Sequence, residues 1–120
     1  MKSLLIETLN KLDYPVYLQG TINANEAYPE SFITFLTVYS QDAANYDDDT
    51  RAVQWRFQVA FYSANPNLVK SEPPKIRIAL KAAGFIPLGR GRDIPSDVPS
   101  HTGWVQDYYA LEIIKEGKHE

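Results

Sequence analysis

The chain has no cysteine among its 120 residues. That absence excludes disulfides, a thiolate nucleophile and every zinc site built on sulfur. Histidine is nearly as scarce. His101 and His119 stand alone, with no H-x-x-x-H or similar grouping, so a histidine metal centre has no basis in the sequence. A basic excess is also missing: the formal net charge is -3, which argues against a dedicated nucleic-acid binder. No apolar run approaches the roughly 20 residues that cross a bilayer. The leading Met1-Lys2-Ser3-Leu4-Leu5-Ile6 is interrupted by Glu7, Asn10, Lys11 and Asp13, with no small-residue cleavage site behind it, so secretion is not expected.

What is present is ordinary globular material, 44% hydrophobic and 22% charged, which is not the composition of a disordered chain. The length suits one domain spanning residues 1–120, with about 115–120 as a frayed tail. The expectation is a soluble, mildly acidic, single-domain protein.

Residues 51–66 carry the clearest pattern. Val53, Trp55, Phe57, Val59 and Phe61 alternate with Gln54, Arg56, Gln58 and Tyr62. A period of two describes a strand with one dry and one wet face, and five large apolar groups on the dry face are enough to organise a small core. Upstream, Leu4, Leu5, Thr8, Leu9 and Leu12 recur at helical spacing and predict an amphipathic helix over 3–12 with Ser3 as its N-cap. Pro15 ends it. Val16, Tyr17 and Leu18 form a short strand, residues 20–30 have loop chemistry, and 31–39 read as a central strand that is apolar on both faces. Residues 42–50 read as a polar, acidic connection, so that the two long strands form a hairpin.

Further on, Ile76, Ala79, Leu80 and Ala83 make a buried helical stripe closed by Gly84 at C′. Interior prolines break helices, so Pro73 and Pro74 predict a separate helical turn near 67–71 before a main helix from about 74. Phe85, Ile86 and Leu88 suggest a short strand. Residues 89–103 are too rich in glycine and proline for a regular element, and 104–114 form a last strand with Val105, Tyr109, Leu111 and Ile113 on one face. Asp107 interrupts that face, through a bulge or a partner contact. The fold class is α+β: a small, mostly antiparallel sheet of about four strands, packed by an N-terminal helix and a second helix.

Candidate chemistry is thin. Asp47, Asp48 and Asp49 lack the alternating ligands of a calcium loop, so they read first as a solvated tip and second as a contact for a basic partner. Gly89-Arg90-Gly91-Arg92 is no Walker loop; its arginines suit either a phosphate or carboxylate contact or ordinary surface ion pairs. His101 lies near Asp93, Asp97 and Ser100, yet sequence neighbours seldom form a catalytic triad. A histidine that pins its own loop is the better reading. Trp104 falls on the side away from the expected core, where it either anchors an interface or packs beneath the 89–103 loop.

Taken together, several segments resemble the tail terminator family, also described as tail completion or minor capsid proteins, of long-tailed phages and prophages of Gram-positive bacteria. The segments are Tyr28-Pro29-Glu30-Ser31-Phe32, Tyr46-Asp47-Asp48, Trp55-Arg56-Phe57, Phe61-Tyr62-Ser63 and Asn65-Pro66-Asn67-Leu68-Val69. They continue through Leu80-Lys81-Ala82-Ala83-Gly84-Phe85, Gly89-Arg90-Gly91-Arg92-Asp93 and Ser96-Asp97-Val98-Pro99-Ser100-His101-Thr102-Gly103. The pattern covers most of 28–114. The paired prolines and Trp104 depart from it.

The resemblance implies a non-enzymatic virion subunit without cofactor, metal or membrane association, assembled in the host cytoplasm and placed in the tail or neck. Copies of the chain would form a ring, commonly a hexamer, that stops tail-tube growth and docks to the head-completion or connector protein. DNA would be passing cargo only, kept from sticking by acidic lumen residues. Tyr46, Asp47, Asp48 and Asp49, with Arg90, Arg92, Asp93, His101 and Trp104, are the implied contact positions. A head-completion or connector adaptor of the neck is the nearest alternative. A small binding module of a mobile element and a His101-assisted hydrolase follow.

Overall fold

The computed structural model describes residues 1–19, 29–45, 50–96 and 99–115, and of residues 43–45, 50, 51, 114 and 115 the backbone alone. Tyr46 to Asp49, Asp97 and His119 lie outside the described residues, as does most of the loop expected over 20–30.

The elements run α1 (Lys2–Asn10), β1 (Val16–Leu18), β2 (Ser31–Asn45), β3 (Thr50–Ser63), α2 (Pro66–Ala82), β4 (Ile86–Pro95) and β5 (Thr102–Lys115). The protein is α+β; its described residues form two helices and one five-stranded mixed sheet in the order β1-β2-β3-β5-β4. Only β1 and β2 run parallel; every other pair is antiparallel. This agrees roughly with the expected, mostly antiparallel sheet of about four strands, and each strand coincides with a segment read as strand in the sequence.

Both helices cover one face. Leu5 and Leu9 of α1 and Val69, Ile76 and Leu80 of α2 pack onto Ile33, Phe35, Phe57, Val59 and Phe61. The alternation expected for β3 therefore meets the helices, and Trp55 stacks on Phe57 at 5.5 Å between ring centres. Burying side chains of this size contributes roughly 1.5–3 kcal/mol each, before the cost of ordering them.

Several expectations are corrected. The cap of α1 is Met1, and Ser3 lies inside the helix. β2 continues past Tyr39 to Asn45 because β3 supplies a hydrogen-bonding ladder along its length, with bulges at Thr37/Tyr39 and Asp42/Ala44. Polar side chains there are held across the strands, as where Gln41 Nε2 donates to Gln54 Oε1 at 3.2 Å.

α2 is one continuous helix through Pro73 and Pro74. The two prolines leave the carbonyls of Val69 and Lys70 without their usual amide donors. What outweighs that loss is the packing of Val69 before the prolines and Ile76 and Leu80 after them onto one core. Asn65 caps the start, its side chain accepting from the Asn67 N–H at 3.0 Å.

The expected loop after residue 88 is strand as far as Pro95. Glycines at positive φ, Gly89 and Gly91, let the chain pass an irregularity between Leu88 and Arg92 without breaking the strand.

β5 is turned over relative to its expected facing. Register with β3 places Trp104, Gln106, Tyr108 and Ala110 opposite Phe61, Val59, Phe57 and Trp55 on the helix side. Val105, Asp107, Tyr109, Leu111 and Ile113 lie on the other face. Buried Gln106 is tolerated because its amide donates to Leu88 O at 2.6 Å and Gly89 O at 3.3 Å, where the β4 irregularity leaves carbonyls available. Asp107 keeps unbroken register with β3, while on its other side the irregularity of β4 begins beside it, between Leu88 and Arg92. Its carboxylate receives the Arg56 guanidinium.

Candidate functional site

The helix layer does not close over the whole sheet. Between α2 and the β4–β5 side lies an open groove of about 810 Å³. One wall is a helical stripe, Pro66, Lys70, Pro73, Pro74 and Arg77, whose spacing of three and four puts these residues on one face of α2. The opposite wall brings Arg90, Asp93 and Ile94 from β4. The floor is Val59, Phe61, Trp104 and Tyr108.

Electrostatically the groove is cationic. Lys70, Arg77 and Arg90 face a single acid, Asp93. Among the described residues, none of these four belongs to an ion pair. Burial pushes the Tyr108 hydroxyl up to about 12, against the opposing pull of Arg77. An apolar floor rimmed by uncommitted cations suits an apolar or aromatic group attached to carboxylates or phosphates.

Three of the candidate residues meet here: Arg90, Asp93 and Trp104. Trp104 packs against the core beneath Gly91 and also lines the groove. Arg92 is not with them; its register opposite Val105 assigns it to the helix-free face.

His101 lies elsewhere again. It is buried, with Nε2 at 2.8 Å from Pro29 O and Nδ1 at 2.9 Å from Ser100 Oγ. A carbonyl only accepts, so Nε2 carries the hydrogen and, in the neutral ring, Nδ1 accepts from Ser100. The ring also tilts against Phe32, itself stacked on Tyr62. Through these contacts the side chain fastens its own segment to the one that carries Pro29. Among the described residues, no group of three or more histidines, aspartates and glutamates is placed to hold a metal ion, and no helix is long and apolar enough to cross a membrane.

Sequence reasoning missed Lys70 and Arg77. The signal was available in the spacing Pro66, Lys70, Pro73/Pro74, Arg77, but the paired prolines argued against reading it as one helix.

The helix-free face has its own exposed apolar group: Ile86 and Ile113 at 54% exposure and Leu111 at 45%. On the far edge of the sheet, β1 pairs only with Ile33 to Phe35 of β2. Beyond Phe35 the outer edge of β2 has no strand neighbour among the described residues. Compared with protein-family models and with curated proteins, the chain matches none.

Proposed function

We propose that the chain is a structural subunit of a phage or prophage tail, a tail terminator or tail completion protein whose copies form a ring, cap the tail tube and join tail to head. Its work is done by fitting surfaces, with no reaction performed. The sequence resemblance motivates the reading, and one structural observation carries its assembly part. The molecule measures 52 × 30 × 22 Å with a radius of gyration of 16.3 Å, against about 13.6 Å for a compact domain of this length. The excess comes from β2, β3 and β5, which run on together past β1 and β4. Such an arm, with exposed Leu111 and Ile113 and strand edges that have no strand neighbour among the described residues, buries little within one subunit and a good deal against another.

Deleting the gene from its parent phage and imaging the lysate tests the reading. Overlong tubes without heads are expected. Tails of normal length beside empty or leaking heads would overturn it in favour of a head-side neck protein.

A further inference from the structure

The groove and the acidic segment Tyr46-Asp47-Asp48-Asp49 are chemically complementary, and Asn45 and Thr50, which flank that segment, lie toward the end of the sheet remote from the groove. We infer that the groove between α2 and the β4–β5 side receives the acidic tip Tyr46-Asp47-Asp48-Asp49 of a second copy of the chain, and that subunits therefore associate head to tail. The inference rests on the ring reading above and names the contact that would build it.

Charge is the first ground. The groove offers Lys70, Arg77 and Arg90 against Asp93 alone, and none of the three cations is committed to an ion pair among the described residues. The tip brings three consecutive aspartates, the only such run in the sequence. Guanidinium groups bind carboxylates in two-pronged fashion, so two arginines on facing walls fix the orientation of an acidic strand between them. The second ground is shape. Tyr46 precedes the aspartates directly, and an aromatic ring fits a floor of Phe61, Trp104 and Tyr108.

Reach decides that the occupant is another copy. The tip joins Asn45 to Thr50, at the Thr50–Lys115 end of the β3–β5 ladder. The groove surrounds Phe61 and Trp104, close to the Ser63–Thr102 end. Eleven strand residues, roughly 36 Å at strand rise, separate the two within one rigid sheet. A chain cannot fill its own groove. A contact between two different patches repeats from copy to copy, closing into a ring where the rotation allows and running on as a filament where it does not.

Thiol cross-linking in the cysteine-free chain tests this. Full-length Asn45→Cys, beside the acidic segment, is mixed with full-length Pro66→Cys, at the groove, under mild oxidation, and Asn45→Cys with Ile86→Cys serves as the control pair. The expected result is a mixed disulfide at the groove position roughly tenfold above the control, as expected for a charge-steered contact. It should fall to the control level when Asp47, Asp48 and Asp49 are all changed to Asn, or when Arg77→Glu is added to the groove partner. A yield equal to the control, or one indifferent to the three aspartates, overturns the inference. Chains that assemble by light scattering but cross-link only through Ile86 sink the groove contact and leave the ring reading standing. Groove cross-links in a protein whose deletion leaves tails and head joining normal do the reverse.

Discussion

Gly91 and the indole of Trp104 are packed so closely that a methyl group on Gly91 would collide with Nε1 of the ring and lie 2.7 Å from the carbonyl of Val105. Gly91 has φ +88° as well, so it is held by both backbone conformation and space. This glycine is what lets β4 cross above the tryptophan that floors the groove.

Gly91→Ala should therefore destabilise the protein by about 2–4 kcal/mol, combining left-handed backbone strain with overpacking. Gly89 has φ +73°, but a methyl group there would meet nothing within 4 Å. Gly89→Ala should thus cost only about 1–2 kcal/mol, the backbone strain alone. Urea unfolding of both variants checks the ordering. Equal losses would show that the tryptophan yields without cost.

Pro74 is exposed and sits in the interior of α2. Pro74→Ala restores an amide to the carbonyl of Lys70. The gain in helix stability, up to about 3 kcal/mol, is partly offset by the greater freedom of the unfolded chain, leaving an expected net stabilisation of about 1–2 kcal/mol. Thermal unfolding followed by far-UV circular dichroism gives the answer. A lower melting temperature would mean that the proline rings contribute more by packing than the missing bond costs.

Arg56 Nε and Nη2 both donate to Asp107 Oδ2, at 3.1 and 2.7 Å, while Oδ1 is buried without a hydrogen-bond partner among the described residues. The arginine side chain is 39% exposed and the aspartate 16%. Removing the arginine leaves a desolvated carboxylate, whereas removing the aspartate leaves a guanidinium that reaches water. Arg56→Ala should thus cost about 2 kcal/mol and Asp107→Ala about 1 kcal/mol or less, with clear coupling in the double variant. The reverse order would place the value of the pair in the arginine's solvent contacts.

Tyr14 and Glu72 make stability pH-dependent at both ends of the scale. Tyr14 Oη donates to Glu72 Oε1 at 2.8 Å. Burial, then the hydrogen bond and the charge of Glu72, push the phenol from 10.0 to about 12. Between these values the unfolded chain has lost the proton and the folded chain keeps it, so the stabilisation is complete below pH 10 and is lost as pH rises toward 12. Glu72 is shifted the other way, below its ordinary 4.5, by hydrogen bonds from Lys75 and then Tyr14. Its contribution is present above that value and is lost as pH falls through the folded-state pKa. Tyr14→Phe should flatten part of the alkaline loss, with Tyr108 retaining its own share, and Glu72→Gln should flatten part of the acid loss. Denaturation curves across pH measure both. Unchanged slopes would remove the pair as their source.

Much of the framework is legible in the chain alone. The alternation from Val53 to Phe61 identifies β3 and its buried face, the spacing of Leu5, Thr8 and Leu9 identifies α1, and Gly84 marks the end of α2 with φ +104°. These signals are local: each depends on residues within a few positions of one another, where period and backbone freedom speak directly. The candidate site was legible only in pieces, because its walls come from α2, β4 and β5, and no local pattern states that Lys70, Arg77, Arg90 and Trp104 share a space.

Tertiary structure alone decided the questions in which two local readings competed. β5 is apolar on both sides, so its facing was settled by where Trp104 and Tyr108 could pack and by the carbonyls of Leu88 and Gly89 that satisfy Gln106. The paired prolines oppose a helix locally, yet Val69, Ile76 and Leu80 gain a common core only if α2 runs through them. In each case the distant contacts available to one arrangement outweighed the local preference for the other, and those contacts exist only once the sheet has formed.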